Sequence, residues 1–160
     1  MNKLWITIDD ISRLSGFDGN IDDDSIAPFI FMAQNSEMKR ILGLDLYNKL
    51  NADVEADTLS GDYLTIFDEH ASIILAYWTC SYYLQLGIVK VSQNGAYLLA
   101  PEKTEQVFDD KTGKIANKYE ALAIGLEHKL VDYLNTLSIP EWKSPDQTSA
   151  KSSFNWLRVK

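Results

Sequence analysis

The sequence predicts a mainly α fold: a small helical bundle with one β-hairpin inserted before the last long helix, followed by an extended C-terminal arm. Apolar residues recur at helical spacing through most of residues 1–137. Residues of about 88–100 alternate instead between apolar and polar, and they include the Asn94-Gly95 pair typical of a tight hairpin turn. Prolines and a Ser-rich stretch in residues 138–160 end the helical pattern. We therefore expect a helical domain at 1–137 and an arm at 138–160.

Composition narrows the class of protein. A chain of 160 residues with 46% hydrophobic and 24% charged residues is typical of one globular domain. The net charge of −8 disfavours tight binding to nucleic acid, because affinity for phosphates comes mainly from Lys and Arg. The single cysteine, Cys80, excludes an internal disulfide and is expected to be a small buried side chain. The first ten residues lack the apolar stretch of a secretory signal, so we expect synthesis in the cytoplasm.

A short leading helix is predicted from a capping box. Thr7 is followed three residues later by Asp10, so each side chain can bond the other residue's backbone amide. Ile11 and Leu14 give the helix an apolar side, and Gly16 ends it.

The first long helix is predicted to begin at the polar cluster 22–25, whose side chains offer acceptors to the free amides of the first turn. Pro28 is expected early enough in the helix that its missing N–H costs nothing. Gly43 is expected to close the helix in a left-handed conformation, and Asp45 to cap a second short helix. The inner stripe comprises Ile26, Ile30, Ala33, Met38, Ile41 and Leu42.

Three further apolar residues, Phe29, Phe31 and Met32, widen that stripe until little of the first half of the helix suits contact with water. We therefore expect these three side chains to meet another protein chain.

A central buried helix is predicted from about Ser60. Its apolar residues at helical spacing are Leu64, Phe67, Ala71, Ile74, Leu75, Trp78, Tyr82 and Leu86. The uncharged stretch 71–89 is long enough for a membrane span, but polar residues and Gly87 interrupt it. We therefore interpret it as a core helix and expect no membrane contact.

The hairpin and the last helix follow. A lone two-stranded hairpin is marginal in water, so we expect its residues Val89, Val91, Tyr97 and Leu99 to pack on the helices or on a neighbouring subunit. The last helix is predicted to open near Thr112. Its expected inner stripe is Ile115, Tyr119, Leu122, Leu126, Leu130, Leu134 and Leu137.

The arm ends in the apolar and basic sequence FNWLRVK. Phe154, Trp156 and Leu157 would serve as anchors in a partner's pocket, and we favour this interpretation. The alternative is that the arm folds back on its own domain.

Candidate metal and nucleotide sites are weak. Asp18, Asn20, Asp22 and Asp24 alternate like the first half of an EF-hand loop, but the glycine and the bidentate glutamate of its second half are missing. A capping cluster is the favoured interpretation, and a weak cation site is the alternative. Segment 111–114 lacks the upstream glycine of a P-loop.

The two Glu-His pairs, 69–70 and 127–128, have the wrong spacing for a metal site, because sequence neighbours on a helix diverge by about 100°. We expect exposed helical side chains there. No nucleophilic constellation is visible, so we expect no enzyme, no catalytic residues, no metal and no cofactor.

The chain resembles the head-to-tail connector proteins of tailed bacteriophages, also called adaptor or ring proteins. The resemblance covers the polar-capped first long helix, the Ile-Leu-Gly-Leu exit with its Tyr-containing short helix, the apolar helix after residue 60 and the closing helix after residue 112.

This resemblance implies a structural virion protein at the head-tail junction that forms a ring, with dodecameric symmetry to match the portal. The implied partners are further copies of the chain, the portal protein and tail or other ring proteins, while DNA passes nearby without specific binding. The alternatives are a small helical regulatory or protein-binding module and a metal-dependent enzyme.

Overall fold

The computed structural model describes residues 3–17, 21–87, 89–92, 95–98 and 110–144. The described elements are helical apart from two short strands, which follow the central helix. In chain order they are α1 (Ile8–Ser15), α2 (Asp23–Ala33), π1 (Gln34–Met38), α3 (Lys39–Ala56), α4 (Gly61–Thr65), π2 (Ile66–Ala71), α5 (Ser72–Leu86), β1 (Val89–Ser92), β2 (Gly95–Leu98) and α6 (Asp110–Thr136).

The predicted leading helix is confirmed as α1. The Thr7 hydroxyl accepts from the Asp10 amide, and Asp10 Oδ2 accepts from the Thr7 amide, which completes the capping box. Partial burial favours a higher pKa for the Asp10 carboxyl, but its bonds to Thr7 and Arg13 outweigh burial and lower the pKa. Gly16 ends the helix with a φ of 67°, in the left-handed region where glycine has no steric penalty.

The start of α2 corrects two expectations. Asp22 precedes the helix but makes no side-chain cap bond; its carboxylate accepts from the Ser25 hydroxyl instead. Because the helix begins at Asp23, Pro28 lies in the second turn, where it has no N–H to donate to the carbonyl four residues back.

Segments α2, π1 and α3 follow one another without an intervening loop. The wide turn π1 lies at the centre and places both Gln34 and Met38 in the interior. Gly43 interrupts α3 with a φ of 73° and a ψ of 163°, and helical structure resumes after it. The predicted break is therefore found at Gly43, and its left-handed φ is the reason that this position suits glycine.

Helix α5 lies at the centre of the body, in contact with α1, α2 and α6. The prediction of a central buried helix is confirmed. Side chains from most of the helices meet around it, and Trp5 adds its ring to those of Tyr47 and Phe67. The largest fully buried side chains are Tyr47, Ile11, Ile26, Ile30, Met38, Leu42, Leu46, Leu50, Ile66, Ile74, Leu75 and Leu130.

The buried face of α6 is rotated from the predicted one. Ala116 and Ala123 are fully buried, whereas the expected core residues Ile115 and Leu122 are 47% and 52% exposed. Small side chains on the buried face let α6 lie close to α5, and the larger neighbours remain at the edge. Leu130 and Leu134 are buried as predicted.

The predicted fold class is corrected. The sequence predicts a bundle that includes a β-hairpin, whereas the described core is made by helices and by short segments beside them. The backbones of β1 and β2 pair antiparallel with each other, with Val89 opposite Leu98, and this pair forms no layer of the described body. Two four-residue strands are too short to define an architecture. Including the hairpin in the fold class is therefore wrong, and the fold is mainly α.

Residues 138–144 lie against the helical body. Ile139 and Trp142 pack on the core. The Tyr63 hydroxyl donates to Glu141 at 2.6 Å, and Lys143 Nζ donates to Asp45 in α3, also at 2.6 Å. The rest of the predicted arm lies outside the described residues.

Candidate functional site

A polar cluster at the edge of the core joins π1, α3 and α6, and the side chain of its central residue, Arg40, is 53% exposed. Arg40 donates through Nη2 to Glu127 Oε1 at 2.8 Å and through Nε to Glu37 Oε2 at 2.9 Å. The two carboxylate side chains are only 14% and 10% exposed. Burial favours a lower pKa for the Arg40 guanidinium, but Glu127 and Glu37 outweigh burial and raise it.

Two aromatic side chains of α5 complete this cluster. Trp78 Nε1 donates to Glu127 Oε1 at 2.7 Å, and the Tyr82 hydroxyl donates to Glu37 Oε1. Burial, together with the bond to Glu37, raises the pKa of Tyr82 to about 12. We call Glu37, Arg40, Trp78, Tyr82 and Glu127 the Arg40 cluster.

The chemistry of the Arg40 cluster is structural. Each carboxylate accepts from donors of two residues, and the guanidinium stays protonated, so the cluster presents no ready nucleophile or proton donor. The expectation that Glu127 is an exposed helical side chain is wrong, because the residue is 8% exposed. The sequence did not indicate the cluster, because its members come from separate helices. The only available signal was the presence of polar residues on otherwise apolar helix faces.

A second polar contact holds the N-terminal segment. The fully buried Gln34 accepts from the Trp5 amide at 2.9 Å and donates to the Lys3 carbonyl at 3.2 Å. Trp5 Nε1 in turn donates to Asn51 at 3.0 Å. Gln34 therefore pairs backbone groups of the non-helical segment that precedes α1.

A shallow cavity of about 370 Å³ lies beside this segment, over Phe67. Its charged groups are already paired: Lys3 with Asp57 at 2.8 Å, and Asp53 with Lys49 at 2.6 Å. The cavity therefore offers an apolar floor but no uncommitted catalytic group among its lining residues.

The expected interface residues of α2 occupy two environments. Phe31 and Met32 are each 41% exposed. Phe29 is half-buried, and its ring meets the edge of Tyr83 at a centroid distance of 5.5 Å. The outward surface of α2 is thus formed by Phe31 and Met32, while Phe29 packs within the body.

Three further apolar side chains were not predicted to lie at the surface, and two of them, Ile115 and Leu122, were expected on the inner stripe of the last helix. Ile115, Leu122 and Ile124 lie on α6 and are 47%, 52% and 39% exposed. Helical periodicity alone could not separate them from the core, because a wide apolar stripe includes both the residues at its buried centre and those at its exposed edge. The remaining large apolar side chains exposed in the described residues are Leu44, Leu64 and Leu86. The expectation that Leu64 and Leu86 belong to the central buried helix is wrong, because they are 40% and 48% exposed.

Of the other predicted residues, some are described only by their backbone and some lie outside the described residues. The backbones of Val89, Val91 and Tyr97 lie in the paired strands. Leu99 lies outside the described residues, as do the arm residues Phe154, Trp156 and Leu157, and the loop residues Asp18 and Asn20. Asp22 and Asp24 are described, and both are exposed.

The remaining candidate groups have ordinary roles. Cys80 is buried as expected, donates to Ser15 and has its pKa raised to about 11 by burial. The His70 ring stacks on Tyr133 at 4.8 Å. The part of the chain that the structure describes contains no group of three metal-ligating side chains, and none of its helices combines the length and apolarity needed to cross a membrane.

The fold and these surfaces define a mainly helical protein whose described polar groups are largely paired and whose outer helices expose apolar side chains. A profile described as a family of unknown function, DUF6712, matches residues 38–152. This match spans well over half of the chain, so the chain belongs to the DUF6712 family. No curated protein and no solved structure matches the chain.

Proposed function

We propose that this protein is a structural virion protein, a head-to-tail connector that assembles as a ring between the portal and the tail of a bacteriophage. In this role it has no catalytic activity, and its partners are further copies of itself, the portal protein and tail or other ring proteins. The resemblance of its helical segments to connector proteins motivates the proposal.

One observation carries it. Helix α2 exposes two large apolar side chains, Phe31 and Met32, and helix α6 exposes three, Ile115, Leu122 and Ile124. Apolar surface concentrated on outer helices is typical of protein interfaces. A subunit that uses two different helices for contact can bind a neighbour on each side, and such contacts close into a ring when the rotation between subunits is suitable.

The charge of the chain supports the same role. Its net charge of −8 gives a ring of many copies a strongly acidic surface. An acidic channel wall repels the phosphate backbone, so DNA can pass without being held.

The proposal is tested by electron microscopy of the full-length protein, alone and mixed with the portal protein of the same phage. A ring of repeated helical subunits on the portal is expected. Monomers that show no affinity for the portal would overturn the proposal and favour a helical regulatory module.

Substitutions sharpen this test. Phe31→Glu should abolish ring formation with little change in thermal stability, because the side chain is 41% exposed. The matched control is Leu64→Glu, which introduces the same charge at a 40% exposed leucine of α4 and should leave the ring intact.

A further inference from the structure

The outward side of α2 combines acidic and apolar groups. Asp24, Pro28, Phe31 and Met32 are spaced by four, three and one residues, so they lie along one side of the helix, and all four are exposed. We call these four residues the α2 face. Asp23, also exposed, adds a second carboxylate at the same end of the helix.

One side of α6 combines apolar and basic groups. Ile115, Lys118, Leu122, Gly125 and Lys129 follow one another at spacings of three or four residues, and all five are exposed. We call them the α6 face. Glu120 and Glu127 lie on another side of α6, and Glu127 belongs to the Arg40 cluster. Asp132, also exposed, follows Lys129 by three residues, so a carboxylate lies only at the C-terminal end of the α6 face.

Gly125 is unexplained within one subunit. Glycine in the interior of a helix is less favourable than alanine. A Cβ placed at Gly125 would meet, within 4 Å, no atom of the described residues beyond its own helix backbone, so packing among those residues does not require glycine there. A glycine on an exposed apolar side of a helix allows another helix to approach closely.

The two faces share an apolar character and are complementary in charge. Each presents two large apolar side chains, and the carboxylate of Asp24 on one corresponds to the ammonium groups of Lys118 and Lys129 on the other. Complementary charge at the rim of an apolar contact sets orientation and discourages other pairings. Two copies joined through identical faces would instead bring like charges together.

We propose that the α2 face of one copy docks on the α6 face of a second copy, with Phe31 and Met32 against Ile115 and Leu122. This inference rests on the proposed function, since the connector ring is the assembly that the repeated contact would build. The contact is head-to-tail, so every subunit uses both faces.

Mixed disulfide trapping tests the contact. Full-length Met32→Cys protein is mixed with full-length Leu122→Cys protein and oxidised; the native Cys80 is buried and does not compete. Cross-linked dimers containing one copy of each variant are expected. Leu64→Cys is the matched control, because its site is exposed to the same degree as Met32 and lies on α4.

The possible outcomes separate the two proposals. Predominant Met32 to Met32 or Leu122 to Leu122 cross-links, or no cross-link above the Leu64→Cys control, would overturn the docking contact, even if portal-bound rings form. Mixed cross-links from a protein that never binds the portal would support the contact and overturn the connector role.

A charge exchange provides an independent readout. Asp24→Lys and Lys118→Glu should each weaken self-association measured by sedimentation, by about two- to fivefold at low salt. Combining both changes in one chain should restore it, because the charge pair is re-formed with reversed signs. Failure of the double variant to recover, when both single variants are weakened, would contradict the pairing.

Discussion

Trp78 and Glu127 fix the central helix against the last one. The indole Nε1 donates to Glu127 Oε1 at 2.7 Å across 49 positions of sequence, and the same oxygen accepts from Arg40 at 2.8 Å. Because the bond is buried, sliding α6 along α5 would separate the Trp78 N–H and the Glu127 carboxylate, and Arg40 would keep only its bond to Glu37. The Arg40 cluster therefore favours one register of α6 on α5.

Removing the Glu127 carboxylate should destabilise the fold. Glu127→Ala leaves the Trp78 N–H unpaired in the interior and deprives Arg40 of one partner, so we expect a loss of about 2 kcal/mol in the free energy of unfolding. Glu127→Gln keeps an oxygen acceptor and should lose about 1 kcal/mol. Urea denaturation followed by tryptophan fluorescence measures both. Glu120→Ala, on the same helix but outside the cluster, is the control; an equal loss there would contradict a specific role for Glu127.

Gln34 should anchor the N-terminal segment. Gln34→Ala removes a buried bond to the Trp5 amide and a partly buried bond to the Lys3 carbonyl, so we expect a loss of about 2 kcal/mol and faster hydrogen exchange at the Trp5 amide. Ser36→Ala, an exposed change in the same π segment, should stay within about 0.5 kcal/mol of the parent. Unchanged exchange at Trp5 in the Gln34 variant would show that ring stacking on Tyr47 holds the segment by itself.

Local signals in the sequence were the most reliable. Three features depend only on residues within one helical turn, so the sequence alone predicts them: the capping box of Thr7 and Asp10, the end of α1 at Gly16 and the break at Gly43. The acceptor role of Asp22 failed even locally, since its carboxylate bonds the Ser25 hydroxyl rather than a backbone amide.

Long-range relationships were not visible. Arg40 and Glu127 are 87 positions apart, and nothing in either helix indicates the pairing. The rotation of α6 had the same origin: hydrophobicity ranks Leu122 above Ala123, whereas close packing of α6 on α5 favours the smaller side chain. Two short paired strands, Val89–Ser92 and Gly95–Leu98, do not determine a fold class, so the prediction that included a hairpin in it was wrong.

The orientation of α6 gives a direct test. Ala123→Leu adds volume at a fully buried position, so we expect a loss of about 2 kcal/mol in the free energy of unfolding. Leu122→Ala removes a half-exposed side chain and should change stability by about 0.5 kcal/mol. Thermal and urea unfolding of the two variants provide the comparison. If Leu122→Ala proved the more damaging change, the helix would have to be rotated towards the stripe predicted from sequence.

Stability at alkaline pH should depend on Tyr82. Burial and the bond to Glu37 raise the pKa of this phenol from an ordinary 10.0 to about 12 in the folded chain. A group with a raised folded pKa contributes stability that is fully present below the unfolded pKa and is lost as pH rises towards the folded one. The parent should therefore lose stability between pH 10 and about 12, because the unfolded chain releases the Tyr82 proton first.

Tyr82→Phe removes this ionisation, so its stability should fall less steeply over the same pH range, although it starts lower at neutral pH. Unfolding curves collected across the range measure the difference in slope. Tyr63 is a suitable comparison, because its bond to Glu141 also raises its pKa to about 12, but at the surface of the body. A parent and a Tyr82→Phe variant with parallel pH profiles would show that the Tyr82 bond to Glu37 does not persist in solution.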